Sequence, residues 1–470
     1  MKKILIVLGL FVLLGTGGGA YWMWGRPHLQ LFPKLPDPAL KTALIEPALL
    51  QADVEALYQG VLSRHPLLDN PGTRERLRPL VDAAKAEITE PMTRVQFFRV
   101  VGRLNHHFKD GHAFLIWPYQ EYTDLKDAGR LSFPFRVQVR EGQLFIKGGY
   151  TLGETRIAPG TRIVTLNNLP AADIIETLQQ VTGGETQGLR EQMAADRFPP
   201  MLWAVYGFID TFNLFIEDGQ GRREIQVNPS RRPEPEETQS LADYRYEELP
   251  DRVGLLTLVS FDTNPGDFED FIDTTFAELR ARGIRSLIID IRENTGGNTD
   301  TVTYLSRHLA HKKFRLISHM TERLNQDNRG LFGYRGKAGT FLKKDWNDWE
   351  TPKPEDVRFT GDVYLLVGPI SYSSSIVFAT TLKDNDFAVL IGQTTGGNAN
   401  QTGQGNLFNL PHSQLRAFVA TRLLVRPNGD QSVGGLVPHH PVARDAAGLA
   451  DGRDPEREKA LALIAARAAL

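Results

Sequence analysis

The sequence predicts an α/β fold, and three observations carry that reading. Between about Tyr244 and Val442, the apolar runs VGLLTLVSF, SLIIDI and VYLLVG alternate with helical stretches such as FEDFIDTTFAELRARG. Continuous apolar runs suit strands buried on both faces, and helices between them suit the crossovers of a largely parallel sheet. Upstream, residues 132–228 change to short alternating strands around turns, with one clear helix, which reads as a compact α+β module. Further upstream, from Ala43 to about His107, the apolar residues recur at helical spacing.

Taken in order, residues 1–25 open with Lys2 and Lys3, an apolar run from Ile4 to Leu14, glycines 17–19, and the aromatics Tyr21, Trp22 and Trp24 before Arg26. A charged start and an apolar run make a secretion signal. Counted through Trp24, the stretch reaches the roughly 20 residues that span a bilayer. A retained membrane anchor, a cleaved signal peptide and a buried core helix are the three readings. The first two place the rest of the chain outside the cytoplasm, anchored on the inner membrane facing the periplasm or secreted. Residues 26–42 are a Pro-rich spacer, and 43–120 a helical domain broken at Asn70-Pro71-Gly72. Leu50, Val54, Leu57 and Tyr58 share one helical face, as do Phe97, Val100, Val101 and Leu104.

Residues 130–229 form the α+β module. FPFRVQVREGQLFIKGGY pairs about the turn Glu141-Gly142, IAPGTRIVTLNNLPAADIIETLQQV gives turn, strand, turn and helix, and FNLFIEDGQGRREIQV closes as a hairpin. The order, with Ala158-Pro159-Gly160-Thr161, resembles a PDZ domain, a fold that holds peptides by strand addition. Residues 230–243 are a polar Pro-rich linker, 244–445 the α/β core, and 446–470 a C-terminal helix packed on it.

Composition narrows the classes of function. The chain has 470 residues, a net charge of −2 and no cysteine. Near-neutral charge gives no support for nucleic-acid binding. Without cysteine, disulfides, thiolate catalysis and Cys-ligated zinc are excluded. Histidines without Asp or Glu at ligand spacing do not suggest a metal site, and no organic cofactor is implied.

The chemistry is expected around VYLLVGPISYSSSIVFATTLKD, residues 363–384. A buried strand, a Gly-Pro turn and a serine cluster lead into a helix. Such a turn exposes a hydroxyl, and the helix N-terminus supplies free N–H groups. Ser373 is the candidate nucleophile, although a serine cluster before a helix is also ordinary capping chemistry. LIIDIRENTGGN, residues 287–298, is a second buried strand, ending in Gly296 and Gly297. These glycines either turn the chain or let N–H groups approach a developing oxyanion, with Ser374 as a further donor. For the general base, His112 follows the turn Asp110-Gly111. His106, His107, His439 and His440 are the other options. Asp110 either orients His112 or is a turn residue, and Asp384 is read as supporting the fold.

Together these segments resemble the C-terminal processing (tail-specific) serine peptidases, from about Leu50 onward. DIRENTGGN is similar to that family's strand ending in Arg-x-Asn-x-Gly-Gly. SYSSSIVFATTLKDN is similar to its nucleophile segment, in which the middle serine of Ser-x-Ser-x-Ser attacks, here Ser373. GQTTGGNANQTG and GGLVPHHPV are similar to its following loops. The resemblance implies a crotonase/ClpP-like α/β core with an N-terminal helical domain and an inserted PDZ-like domain. It also implies an exported serine endopeptidase acting on protein or peptide.

Departures matter to the mechanism. Asn398 stands where the family's lysine base is expected, and an amide cannot act as a base. Lys383 lies on the helix after Ser373, too exposed to substitute. Another branch, similar to the tricorn core, uses a histidine with a supporting serine and glutamate. His112 matches that histidine, while Gly111 replaces the serine, and Gln431 and Ser432 occupy the region of the glutamate. The expected constellation is thus Ser373 as nucleophile, His112 as base, and Gly296, Gly297 and Ser374 around the oxyanion. A catalytically silent peptide-binding scaffold on the same fold is the alternative. An acyl-CoA enzyme of the crotonase type is a more distant one.

Overall fold

The computed structural model describes residues 32–236, 243–330, 333–443 and 453–469. The segment read as a signal or anchor, residues 1–25, lies outside the described residues, as do residues 237–242 of the linker. Among the described residues no helix is long and apolar enough to cross a membrane.

The α/β core is built on a six-stranded sheet in the order Tyr244–Leu249, Val253–Leu258, Ser286–Asp290, Asp362–Val367, Val389–Gly392, His440–Pro441. The first strand is antiparallel to the second, and the others run parallel. Strand Val253–Leu258 is buried at every position, as its unbroken apolar run predicts. Helices Pro265–Ala281, Thr299–Leu309 and Ser374–Asp384 connect the parallel strands. Their apolar sides meet one face of the sheet through Phe268, Phe276, Leu305 and Phe378. Helix Pro455–Ala468 packs Ala460, Leu463 and Ile464 on the other face.

One pairing positions the site. Asp290 lies beside Leu366 in parallel register, so the loops after both strands leave the same end of the sheet. Ligands of open parallel sheets collect at that end.

A second sheet supplies the other wall. Its long strand, Arg416–Val425, pairs antiparallel with Gln401–Asn409, with His319–Arg323 and with Ala113–Leu115. The segment 43–120 is therefore not wholly helical. After helices Pro47–Arg64, Pro71–Glu87 and Arg94–Val101 it contributes a strand to the core. The β-rich, aromatic AFL run fits that pleated position, with Ala113 and Leu115 buried and Phe114 between them less so.

Residues 137–227 hold a third, antiparallel sheet with helix Ala171–Gln180 against it. Two further helices, Gln187–Asp196 and Phe198–Tyr206, lie between its strands where one clear helix was expected. Leu189 and Met193 of the first pack on Ile370, Tyr372 and Ile376. Apolar spacing in QGLREQMAAD is sparse, which hid this helix; tertiary burial forms it, helped by the Thr186 cap on Leu189 N.

Arg292, 9% exposed, locks the helix Pro455–Ala468 to the end of strand Ser286–Asp290. Its guanidinium donates to both Asp290 oxygens at 2.9 and 2.6 Å, to both Asp454 oxygens at 2.7 and 2.9 Å, and to Glu456 at 3.1 Å. Burial opposes its charge, but Asp290 and Asp454 prevail and raise its pKa well above the ordinary value. Asp454 also caps the helix through Arg457 N. Arg292→Leu would remove the cation that these three carboxylates share. It is expected to cost about 3–5 kcal/mol, read as a lower midpoint of urea unfolding.

Candidate active site

The turn after strand Asp362–Val367 gives each serine of the cluster a different fate. Ser371 Oγ donates to Ile291 O at 2.8 Å and accepts from Gly368 N, which closes the Gly-Pro turn. Ser375 Oγ donates to Asn294 Oδ1 at 2.6 Å. Ser374 Oγ is buried without a partner. Ser373 alone faces an imidazole: its Oγ lies 3.1 Å from His112 Nε2. Its backbone sits at φ 54°, ψ −123°, a region that disfavours a side chain. The strain turns the hydroxyl outward at the first turn of the helix.

Asn294 joins the two loops. Its Oδ1 accepts from Gly296 N at 2.9 Å and from Ser375 Oγ, and its carbonyl accepts from Tyr372 N at 3.1 Å. This narrows the expected set of donors, because Gly296 N–H is already engaged. Among the described residues, the N–H groups of Gly297 and Ser374 have no hydrogen-bond partner, and both residues line the same cavity as Ser373. Only glycine fits at 297. Its φ is 141°, and a Cβ there would lie 2.0 Å from Asp262 N.

The second sheet places His112. Its carbonyl accepts from Ala420 N at 2.7 Å, and its ring stacks on Tyr372 with centroids 4.8 Å apart. Nδ1 lies 3.2 Å from Thr402 Oγ1 and 3.2 Å from Tyr372 OH. Burial lowers the His112 pKa, against the pull of Asp110, so the ring is neutral at pH 7. A neutral imidazole with a free Nε2 beside a hydroxyl can take its proton.

Asp110 is more than a turn residue. It is buried, accepts from His112 N at 2.7 Å, from Thr402 Oγ1 at 2.9 Å to each oxygen, and from His65 Nε2 at 3.0 Å. Burial disfavours its charge, but His65 and His112 hold its pKa below the ordinary carboxylate value. Glu185 accepts from Gly111 N and Tyr372 OH, each at 3.2 Å. Burial and the Asp110 charge push it up to about 8.

The remaining candidates lie elsewhere. His106 Nδ1 contacts Gln180 O, and His439 Nδ1 accepts from Leu390 N. Lys383 Nζ donates to Val437 O, and Asp384 anchors the far end of the serine helix through Arg426. Asn398 Oδ1 accepts from Gly434 N at 3.1 Å, a structural staple. Among the described residues no cluster of His, Asp and Glu could hold a metal ion.

Sequence reasoning missed His65, Glu185, Tyr372, Gln401 and Thr402. Gln401, whose Oε1 accepts from Ser373 N at 3.1 Å, and Thr402 stand in the quoted GQTTGGNANQTG segment. His65 and Glu185 carry no local signal.

A cavity of about 400 Å³ opens beside Ser373. Leu316, Met320, Trp346, Val377 and Leu424 supply its apolar wall, and Arg422 also lines it.

Residues 252–442, the whole parallel sheet but its first strand, match the family model of peptidase family S41. The core is that of an S41 peptidase. Over this stretch the expected resemblance to the C-terminal processing serine peptidases is borne out. Two solved structures agree in fold. One described as mature CPAF complexed with lactacystin has a TM-score of 0.62 at 15% identity, over 86% of this chain and 95% of that one. Another, of mature CPAF, has a TM-score of 0.60 at 15% identity, over 86% and 94%. A photosystem II D1 C-terminal processing protease matches at 14% identity over 84% and 93%, with a TM-score of 0.45.

Glu185 keeps its proton on folding from pH 4.5, its unperturbed value, up to about 8. The unfolded chain is ionised there, so stability is full below pH 4.5 and falls as pH rises through about 8. Glu185→Gln is expected to flatten that part of the pH dependence, measured by urea unfolding across the window.

Proposed function

We propose that this chain is an exported serine endopeptidase with Ser373 as nucleophile and His112 as general base. The observation that carries the reading is the 3.1 Å contact between Ser373 Oγ and His112 Nε2. In the proposed reaction His112 Nε2 takes the hydroxyl proton as Oγ attacks the scissile carbonyl carbon. The developing oxyanion is held by the N–H groups of Gly297 and Ser374, which no acceptor among the described residues engages. As the C–N bond breaks, the imidazolium returns the proton to the leaving amine. Water then hydrolyses the acyl-serine, again with His112 as base. The apolar wall of the cavity would accept an apolar side chain beside the scissile bond.

The crotonase/ClpP-like description suits the parallel core, and the PDZ-like description suits residues 137–227. In that reading the inserted unit holds a peptide by strand addition, and helix Gln187–Asp196 connects it to the serine loop. Export rests on the charged, apolar start of the chain. Membrane association of the full chain, tested by fractionation with and without residues 1–25, separates a retained anchor from a released protein.

A fluorophosphonate probe is expected to label the protein at Ser373, and Ser373→Ala to abolish the adduct. His112→Ala is expected to lower peptide hydrolysis by at least about 10³-fold. Because burial lowers the His112 pKa, the acid limb of kcat/KM should fall below pH 6.5. Absence of any Ser373 adduct in the unchanged protein would favour the silent peptide-binding scaffold.

A further inference from the structure

We propose that Thr402 is a positioning residue for His112, transmitting to the imidazole the hold of the buried Asp110–His65 pair. The inference rests on the reading of His112 as the base for Ser373. In it, a hydroxyl from strand Gln401–Asn409 does the work that a carboxylate touching the histidine would otherwise do.

The distances require an intermediary. His112 Nδ1 and the nearer Asp110 oxygen are 4.0 Å apart, beyond hydrogen-bond reach. Thr402 Oγ1 lies between them, 3.2 Å from Nδ1 and 2.9 Å from each carboxylate oxygen. A threonine hydroxyl has one proton and two lone pairs, while an ionised carboxylate only accepts. The Thr402 proton therefore goes to Asp110, and a lone pair faces His112. That fixes the ring proton on Nδ1 and leaves Nε2 bare toward Ser373.

The far end of the relay is fixed in the same way. Leu67 N donates to His65 Nδ1 at 3.2 Å, so the His65 proton sits on Nε2, which points at Asp110 at 3.0 Å. Asp110 also accepts from His112 N. Three donors thus hold a carboxylate that cannot turn away from Thr402. His65, Asp110 and Thr402 are all nearly inaccessible to solvent, where such a chain of hydrogen bonds is strongest.

Tyr372 OH is the competing acceptor for Nδ1–H, also at 3.2 Å. Its hydroxyl donates to Glu185, which is neutral at pH 7. Thr402 is backed by the ionised Asp110, so it is the more polarised acceptor and favours the imidazolium that forms during reaction. Geometry also explains why the hydroxyl comes from position 402. A side chain at Gly111, where the resemblance led us to expect a supporting serine, would put its Cβ 2.6 Å from Tyr372 OH.

The test is the rate at which a fluorophosphonate phosphonylates Ser373, measured against pH. In that step the Oγ–P bond forms, fluoride leaves, and the serine proton passes to His112. The charged and titratable groups facing His112 are Asp110, His65, Glu185 and Tyr372. Thr402→Ser should label within about 3-fold of the unchanged protein, and Thr402→Val about 10- to 100-fold more slowly. Asp110→Asn should move the acid limb to lower pH, because the charge that favours the imidazolium is gone. Since Thr402→Val could fail to fold, the ring nitrogens of His112 in the unchanged protein give a second readout by ¹⁵N NMR. Protonation on Nδ1 at neutral pH supports the relay, and protonation on Nε2 overturns it. Equal labelling rates and pH profiles for Thr402→Val and Thr402→Ser overturn the role of Thr402 alone. No labelling of Ser373 in the unchanged protein overturns the nucleophile reading, and this inference with it.

Discussion

The parallel pairing of Ser286–Asp290 with Asp362–Val367 is the constraint on which the site depends. Parallel strands in register deliver their following loops to one end of a sheet, whatever those loops contain. Here one loop contains the glycine pair and the other the serine turn. Asn294 converts that neighbourhood into a fixed geometry by bonding Gly296, Ser375 and Tyr372 at once. Arg292, two residues earlier, fixes the same loop from behind through Asp290, Asp454 and Glu456. The strained Ser373 backbone persists because both flanks are held this firmly.

The second sheet has a different task. It carries no serine or glycine motif, yet it brings His112 across 261 residues of chain to Ser373. Strand Ala113–Leu115 achieves this by pairing with residues 417–419. Thr402 arrives on the strand paired to the other edge of Arg416–Val425. One long strand therefore aligns His112 and the Thr402 hydroxyl behind it, while the parallel sheet aligns Ser373 with the N–H groups of Gly297 and Ser374.

Legibility in the sequence followed the range of the interaction. The core strands were readable because burial on both faces leaves an unbroken apolar run. Ser373 and Gly297 were readable because a strand–turn–helix and a strand–Gly-Gly ending are local patterns. His112 was visible only as a histidine beside a turn. Its distance to Ser373 depends on a three-residue strand inside a segment whose period is otherwise helical. Helix Gln187–Asp196 was hidden because burial, not its own apolar spacing, forms it. Thr402, His65 and Glu185 were illegible for a related reason. Each is an ordinary residue by composition, and acquires a role only through contacts that close after the whole core has packed.

The span between Ser373 and its partners has a consequence for biogenesis. His65 and His112 are made early, Ser373 and Thr402 much later, and the Asp454 and Glu456 carboxylates that secure Arg292 later still. Contacts of such high sequence separation close late in folding. A chain emerging from N- to C-terminus therefore spends most of its synthesis with His112 made and Ser373 not yet made. It then acquires a serine whose neighbouring glycine loop lacks its rear clamp. The Ser373–His112 contact and the clamp behind the glycine loop are therefore complete only when nearly all of the core has been made.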